Sequence, residues 1–238
     1  SVTYFANSNK HPVIATHRAQ GQRVVYQEHE AIIAAEGQNE HRIPLASIPL
    51  TRNGTIGFQV ENAMAAIGAA WGLGIDWEII HAGLNTFVSD ARSAPGRFNV
   101  FTYNNATIIA DYGHNPDAIT ALVSAVENMP SKRRSVVISA AGDRRDHDIR
   151  RQTEILGDAF DEVILYEDQC QRGRADGEVM ALLRDGLKQA KRTESVKEIR
   201  GEFVAIDTAL ASLAAGDLCL ILIDQVEEAL AYIAQRCA

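Results

Sequence analysis

Asp111-Tyr112-Gly113-His114-Asn115-Pro116-Asp117 packs a carboxylate, an imidazole and a carboxamide into one short turn. The apolar run Thr107-Ile108-Ile109-Ala110 precedes it and a helix-like segment follows. The turn therefore reads as a strand-to-helix junction at the carboxyl edge of a parallel sheet, where ligands bind. Asp111 ends a buried strand, and a buried carboxylate needs partners such as ribose hydroxyls, a backbone N–H or a cation. Asn115 can cap the next helix with Pro116 at its first position. A purely structural capped turn accounts for Asn115 and Pro116 but leaves Asp111 and His114 without a task.

Two further segments have the same placement. In Ala140-Ala141-Gly142-Asp143-Arg144-Arg145-Asp146, Gly142 lets backbone approach a ligand, and Asp143 or Asp146 is expected to cap the next helix. Arg144 and Arg145 suit a phosphate or carboxylate, although a surface turn with solvated arginines fits equally. In the third segment, Glu167 and Asp168 stand near Arg172 and Arg174, with Gln169, Cys170 and Gln171 between. That mixture suits a zwitterion such as a free amino acid, or a surface ion-pair loop. If all three segments follow strands of one parallel sheet, they converge on one edge.

The elements that must position them change character along the chain. Pro12-Val13-Ile14-Ala15, Arg23-Val24-Val25-Tyr26 and Ala31-Ile32-Ile33-Ala34, separated by turn residues, predict a small antiparallel meander. Residues 43–50 carry two prolines and predict an edge or a loop. Residues 61–73 have a helical pattern with small residues on one side, predicting close packing, and 77–84 a second short helix. Residues 89–95 read as a linker, with a domain boundary near Arg92. Strands at 97–103 and 107–111 are joined by Asn104-Asn105. Apolar runs at 135–139, 162–166 and 218–223 then alternate with helices near 149–160, 177–191 and 226–236. This is the grammar of an α/β fold, a mostly parallel sheet with helices on both faces.

Composition narrows the function. The chain has 238 residues, 46% hydrophobic and 23% charged, with a net charge of −8. That argues against general nucleic-acid binding, which needs a basic face. Residues 132–151 nevertheless carry seven basic side chains against three acidic ones, readable as an anion-binding patch or as solvated surface. Cys170, Cys219 and Cys237 show no metal-binding spacing and suit a reducing cytoplasm. No apolar run approaches the length of a membrane span. No G-x-G-x-x-G follows a strand, and no G-x-x-x-x-G-K-[ST] occurs. If ATP is used, its phosphate loop is expected elsewhere, and the opening at Ser1 without an initiator Met suggests part of something longer.

Three landmarks resemble, in order, the Mur ligase superfamily of ATP-dependent amide-forming ligases. Gly57-Phe58-Gln59-Val60-Glu61-Asn62-Ala63-Met64-Ala65-Ala66 is similar to the central-domain segment that carries an adenine-contacting Asn. Pro95-Gly96-Arg97 is similar to the Gly-Arg that opens the C-terminal domain, and Asp111 to Pro116 to its Asp-Tyr-Ala-His-Asn-Pro signature. The segments at 56–62, 140–146, 165–168 and 172–178 resemble most the branch that lengthens cyanophycin, an arginine-on-aspartate storage polymer. Gln59 departs from the usual first Asn of its segment and puts that one contact in doubt.

The resemblance implies a Rossmann-like C-terminal domain at 93–238, preceded at 1–92 by the tail of an α/β central ATPase domain. It implies ligation of arginine to aspartate side-chain carboxylates with ATP and Mg2+, although lysine in place of arginine stays open. Asn62 would contact adenine, Asp111 the ribose and Arg97 the terminal phosphate. His114 and Asn115 would lie at the interdomain cleft with Gly142, Asp143, Arg144 and Arg145. Glu167, Asp168, Arg172 and Arg174 would face the incoming amino acid. The metal ligands, an ATP-grasp region and the rest of the central domain would lie upstream, so the chain alone is expected to be inactive. A homo-oligomer is implied for the full-length protein. A non-catalytic nucleotide-binding or scaffold module is the alternative.

Overall fold

The computed structural model describes residues 2–168 and 172–237. Two compact units emerge, Ser1–Val88 and Ser89–Ala238. The first contains β1 (Tyr4–Ala6), α1 (Pro12–Ala19), β2 (Arg23–Glu28), β3 (Ala31–Glu36), β4 (Asn39–Pro44), α2 (Gly57–Gly72) and α3 (Trp77–Thr86). The strands lie in the order β1-β2-β3-β4. Strands β2 and β3 pair antiparallel as expected, β4, which the sequence reading did not include, completes the antiparallel meander, and β1 joins β2 in parallel. Because strand side chains alternate, Val25, Ile32 and Ala34 face α2 while Val24, Ile33 and Ala35 face Ile14 of α1. Burial on both faces explains why β3 is an unbroken apolar run.

The structure corrects one reading here. Pro12-Val13-Ile14-Ala15 is not a strand but the start of helix α1. Pro12 occupies the first turn, where its missing N–H is harmless, and a four-residue apolar run carries no periodicity to distinguish the two states. Small residues on α2 do allow close packing. A Cβ added to Gly68 would lie 3.5 Å from Thr3 and 3.9 Å from Val25.

The second unit contains β5 (Asn99–Tyr103), β6 (Ala106–Asp111), α4 (Pro116–Glu127), β7 (Arg134–Ile138), α5 (Asp146–Ala159), β8 (Glu162–Glu167), α6 (Glu178–Gly186), β9 (Ser195–Arg200), α7 (Glu202–Ser212), β10 (Leu218–Leu222) and α8 (Val226–Arg236). Its sheet runs β5-β6-β10-β7-β8-β9, all parallel except the β5–β6 hairpin. Asn104 and Asn105 both take positive φ, 49° and 61°, the geometry of a tight hairpin turn. Helices α7 and α8 cover one face, where Ile108, Val137, Ile164, Cys219 and Ile221 are buried. Helices α4, α5 and α6 cover the other, over Ile109, Val136, Val163 and Leu220.

Strand β9 and helix α7 have no counterpart in the reading of the sequence. Strand β9, at a sheet edge, mixes Lys197, Glu198 and Arg200 with only two apolar residues, so it lacks the apolar run that marked the other parallel strands.

Candidate functional site

The carboxyl ends of β6, β10, β7 and β8 lie side by side, because these strands are parallel neighbours in that order. The three segments singled out above therefore share one edge, as expected. The β10 turn stands among them, between the β6 and β7 loops.

Asp111 closes β6 with 7% of its surface exposed. Its Oδ2 accepts the Phe98 N–H at 2.7 Å, and the Gly113 N–H also donates to the carboxylate. Burial raises its pKa from an ordinary 3.8 to about 6; the two amides and the charges of Arg97 and His114 oppose the rise. Through Phe98 the carboxylate holds the turn that carries Arg97. Gly96 (φ 70°) and Phe98 (φ 52°) flank Arg97 in left-handed conformations. Asn99, 1% exposed, braces the turn by accepting the Gly96 N–H at 2.7 Å and donating to Ala94 O at 2.9 Å. Tyr112 N–H donates to Gly96 O at 2.9 Å. A Cβ at position 96 would come within 3.0 Å of Val226, so the close approach and the positive φ both require glycine. The Arg97 residue itself is exposed.

Asn115 accepts the Ala118 N–H at 2.9 Å, the capping bond expected of it. His114 Nδ1 donates to Tyr112 O at 2.8 Å, since a carbonyl only accepts. Its Nε2 stands 3.6 Å from Asp224 Oδ1. The same Asp224 oxygen lies 3.4 Å from Arg172, whose other Nη is 3.8 Å from Asp143. The His114 hydrogen bond chiefly, then the His114 and Arg172 charges, hold the Asp224 carboxyl below its ordinary range against partial burial. Arg172 also bonds the Tyr112 side chain. Residues from the ends of β6, β7, β8 and β10 are thereby joined.

Other expected site residues have structural partners. Glu167, 6% exposed, accepts Gly177 N–H at 2.9 Å and Met180 N–H at 3.4 Å, so it anchors the start of α6. Arg174 donates to Gly142 O at 2.6 Å and Arg144 O at 2.7 Å, and pairs with Asp146 at 2.8 Å and Glu178 at 2.6 Å. It staples the β7 loop to the β8 loop. Arg145 makes a two-pronged contact with Asp148 at 2.8 and 3.3 Å. Asp168 accepts from Gln225 Nε2 at 3.0 Å. Gln169, Cys170 and Gln171 lie outside the described residues. Asn62, exposed on α2 in the first unit, donates to Gln59 Oε1 at 3.0 Å.

Two expectations are corrected. Neither Asp143 nor Asp146 caps α5; Arg145 occupies the cap position without a side-chain bond, and Asp146 and Asp148 lie in the first turn. The basic residues of 132–151 do not form one patch. Strand β7 separates them, with Lys132, Arg133 and Arg134 at its amino end and Arg144 and Arg145 beyond its carboxyl end. Five strand residues span about 16 Å, so sequence proximity does not bring the two groups together.

Asp224, Gln225 and Asn99 were missed. Asp224 carried the available signal, since it follows the apolar run 218–223 just as Asp111 follows its own. Among the described residues, no group of three His, Cys, Asp or Glu side chains could hold a metal ion, and no helix is long and apolar enough to cross a membrane.

Comparison with known proteins identifies the family of the chain. The family model described as "Mur ligase, glutamate ligase domain" matches residues 96–222. Cyanophycin synthetase of Synechocystis sp. is 35% identical over 237 residues, covering 99% of this chain and 27% of that protein. The chain thus spans about a quarter of the length of such curated relatives. The UDP-N-acetylmuramoyl-L-alanyl-D-glutamate–2,6-diaminopimelate ligase of Alkaliphilus metalliredigens is 28% identical over 69% of this chain and 32% of its own length. Among solved structures, E. coli FolC in complex with ADP has a TM-score of 0.65 at 19% identity, over 99% of this chain and 53% of that one. That likeness concerns the fold.

Proposed function

Since this chain belongs to the Mur ligase family through its glutamate ligase domain, we propose that it is part of an ATP-dependent ligase that joins arginine to the aspartate side chains of cyanophycin. The reaction passes through an acyl phosphate. Similarity to cyanophycin synthetases along 99% of the chain supports the choice of polymer. The observation that carries a nucleotide-binding role is the buried Asp111 carboxylate, which clamps the turn bearing Arg97.

The donor set fits ATP. A carboxylate offers about four lone-pair positions, and two backbone amides use only part of that capacity. The remainder suits a pair of ribose hydroxyls. Asn62, with one amide hydrogen on Gln59, keeps a donor and a carbonyl oxygen suited to an adenine edge. Arg97 stabilises charge at the terminal phosphate. Asn115 fixes the start of α4 and so the His114 backbone. When bound, ATP supplies the phosphoryl group that activates the aspartate carboxylate; Mg2+ accompanies it on ligands elsewhere in the full-length protein.

On the amino-acid side, Arg172 reads the incoming α-carboxylate, and Asp168 and Asp224 read the cationic end. His114 helps to hold the Asp224 carboxylate, its Nε2 standing 3.6 Å from Asp224 Oδ1. Glu167 and Arg174 act indirectly, by holding the loops that contain Asp168, Gly142, Asp143, Arg144 and Arg145.

The test is ATP turnover dependent on arginine and a cyanophycin primer in the full-length protein, wild type against Arg97→Ala. The expected result is an active wild type, a loss of about a hundredfold in kcat for the variant, and no turnover by the 238-residue chain alone. An unaffected Arg97→Ala enzyme, or an active isolated chain, refutes the reading. An inactive wild type that binds ATP favours the non-catalytic alternative.

A further inference from the structure

Glu202 opens α7 directly after β9, and only 1% of it is exposed. Its carboxylate takes two consecutive amides, Oε1 from Asp224 N–H at 2.8 Å and Oε2 from Gln225 N–H at 3.1 Å. These residues form the turn from β10 to α8, and Gln225, at the cap position of α8, makes no capping bond with its own side chain. The turn is held from outside, by a neighbouring helix.

What the turn carries makes this matter. Asp224 meets His114 from the β6 loop and Arg172 from the β8 loop through one oxygen. Gln225 Nε2 meets Asp168 at 3.0 Å. Glu202 is also buried within the field of Asp224 and Asp168, two like charges, and Tyr166 lies in the same field. A neutral Ser or Asn could accept an amide here without that repulsion. A carboxylate has the advantage of taking both amides at once, which fixes two successive residues and so the direction of the Asp224 side chain.

Resting on the functional reading above, we infer that Glu202 is a positioning residue for the amino-acid side of the site, holding Asp224 between His114 and Arg172. Glu202 itself touches no substrate.

The test is steady-state kinetics of the full-length enzyme with Glu202→Gln, Glu202→Asp, Asp224→Asn and the Glu202→Gln/Asp224→Asn double variant. Peptide-level hydrogen exchange over residues 223–226 accompanies it. A glutamine can accept only one of the two amides and turns its NH2 toward the other. The arginine KM of Glu202→Gln should rise about tenfold, with the ATP KM unchanged and faster exchange at 223–226. Glu202→Asp, which keeps the charge, should recover part of the loss. Once Asp224→Asn is present, Glu202→Gln should add little, because the two act through one side chain. An unchanged arginine KM in folded Glu202→Gln overturns the inference. So do full additivity in the double variant and parallel changes in both KM values. An inactive wild type instead overturns the functional reading.

Discussion

Asp111→Asn should stabilise the fold with rising pH while weakening ATP use. The folded carboxyl holds its proton up to about pH 6, against an ordinary 3.8. Between those values the folded state binds more protons than the unfolded state, so Asp111 makes stability fall as pH rises. The loss is complete above the folded pKa. A shift of about 2 units at about 1.36 kcal/mol each gives about 3 kcal/mol. The group is nearly fully buried, so little of this is screened by solvent. Asparagine has the same shape and no proton to lose. The variant also loses acceptor capacity toward Phe98 and Gly113, a term nearly independent of pH. Urea denaturation of both proteins at several pH values isolates the charge. The variant-minus-wild-type difference should climb by up to about 3 kcal/mol between roughly pH 3.5 and 7. In the full-length enzyme the ATP KM should rise about tenfold, since hydrogen bonds to a charged acceptor are worth about 1.5–3 kcal/mol. A difference that stays flat with pH would refute the buried-charge argument. An unchanged ATP KM in a stable variant would exclude the ribose role.

Four further outcomes are expected. Asn115→Ala removes the acceptor for the Ala118 N–H and should lower stability by about 1 kcal/mol in urea denaturation. Gly186→Ala would place a Cβ 2.2 Å from Thr153 Oγ1 and 2.3 Å from Arg150 O, so thermal unfolding should reveal a loss of about 1–3 kcal/mol or more. Arg172→Ala and Asp168→Asn should raise the arginine KM of the full-length enzyme about tenfold with little change in Tm. Arg174→Ala should lower Tm as well, because it releases the carbonyls of Gly142 and Arg144.

Local chemistry was legible in the sequence wherever it depends on neighbours along the chain. Asn115 with Pro116 marked the start of α4, Asn104-Asn105 marked the hairpin, and residues 226–236 marked α8. Unbroken apolar runs revealed the buried parallel strands, because a strand covered on both faces has no polar side. From these came the convergence of three loops on one edge. Tertiary structure alone decided what each loop residue does there. Backbone hydrogen bonds between strands carry no side-chain information, so nothing local placed β10 between β6 and β7 or Asp224 between His114 and Arg172. Nor could charge type distinguish Arg172, facing Asp224 and Asp143, from Arg174, spent on two backbone carbonyls. Partners about 30 to 52 residues away made that distinction, and such partners meet only when the strands between them pair.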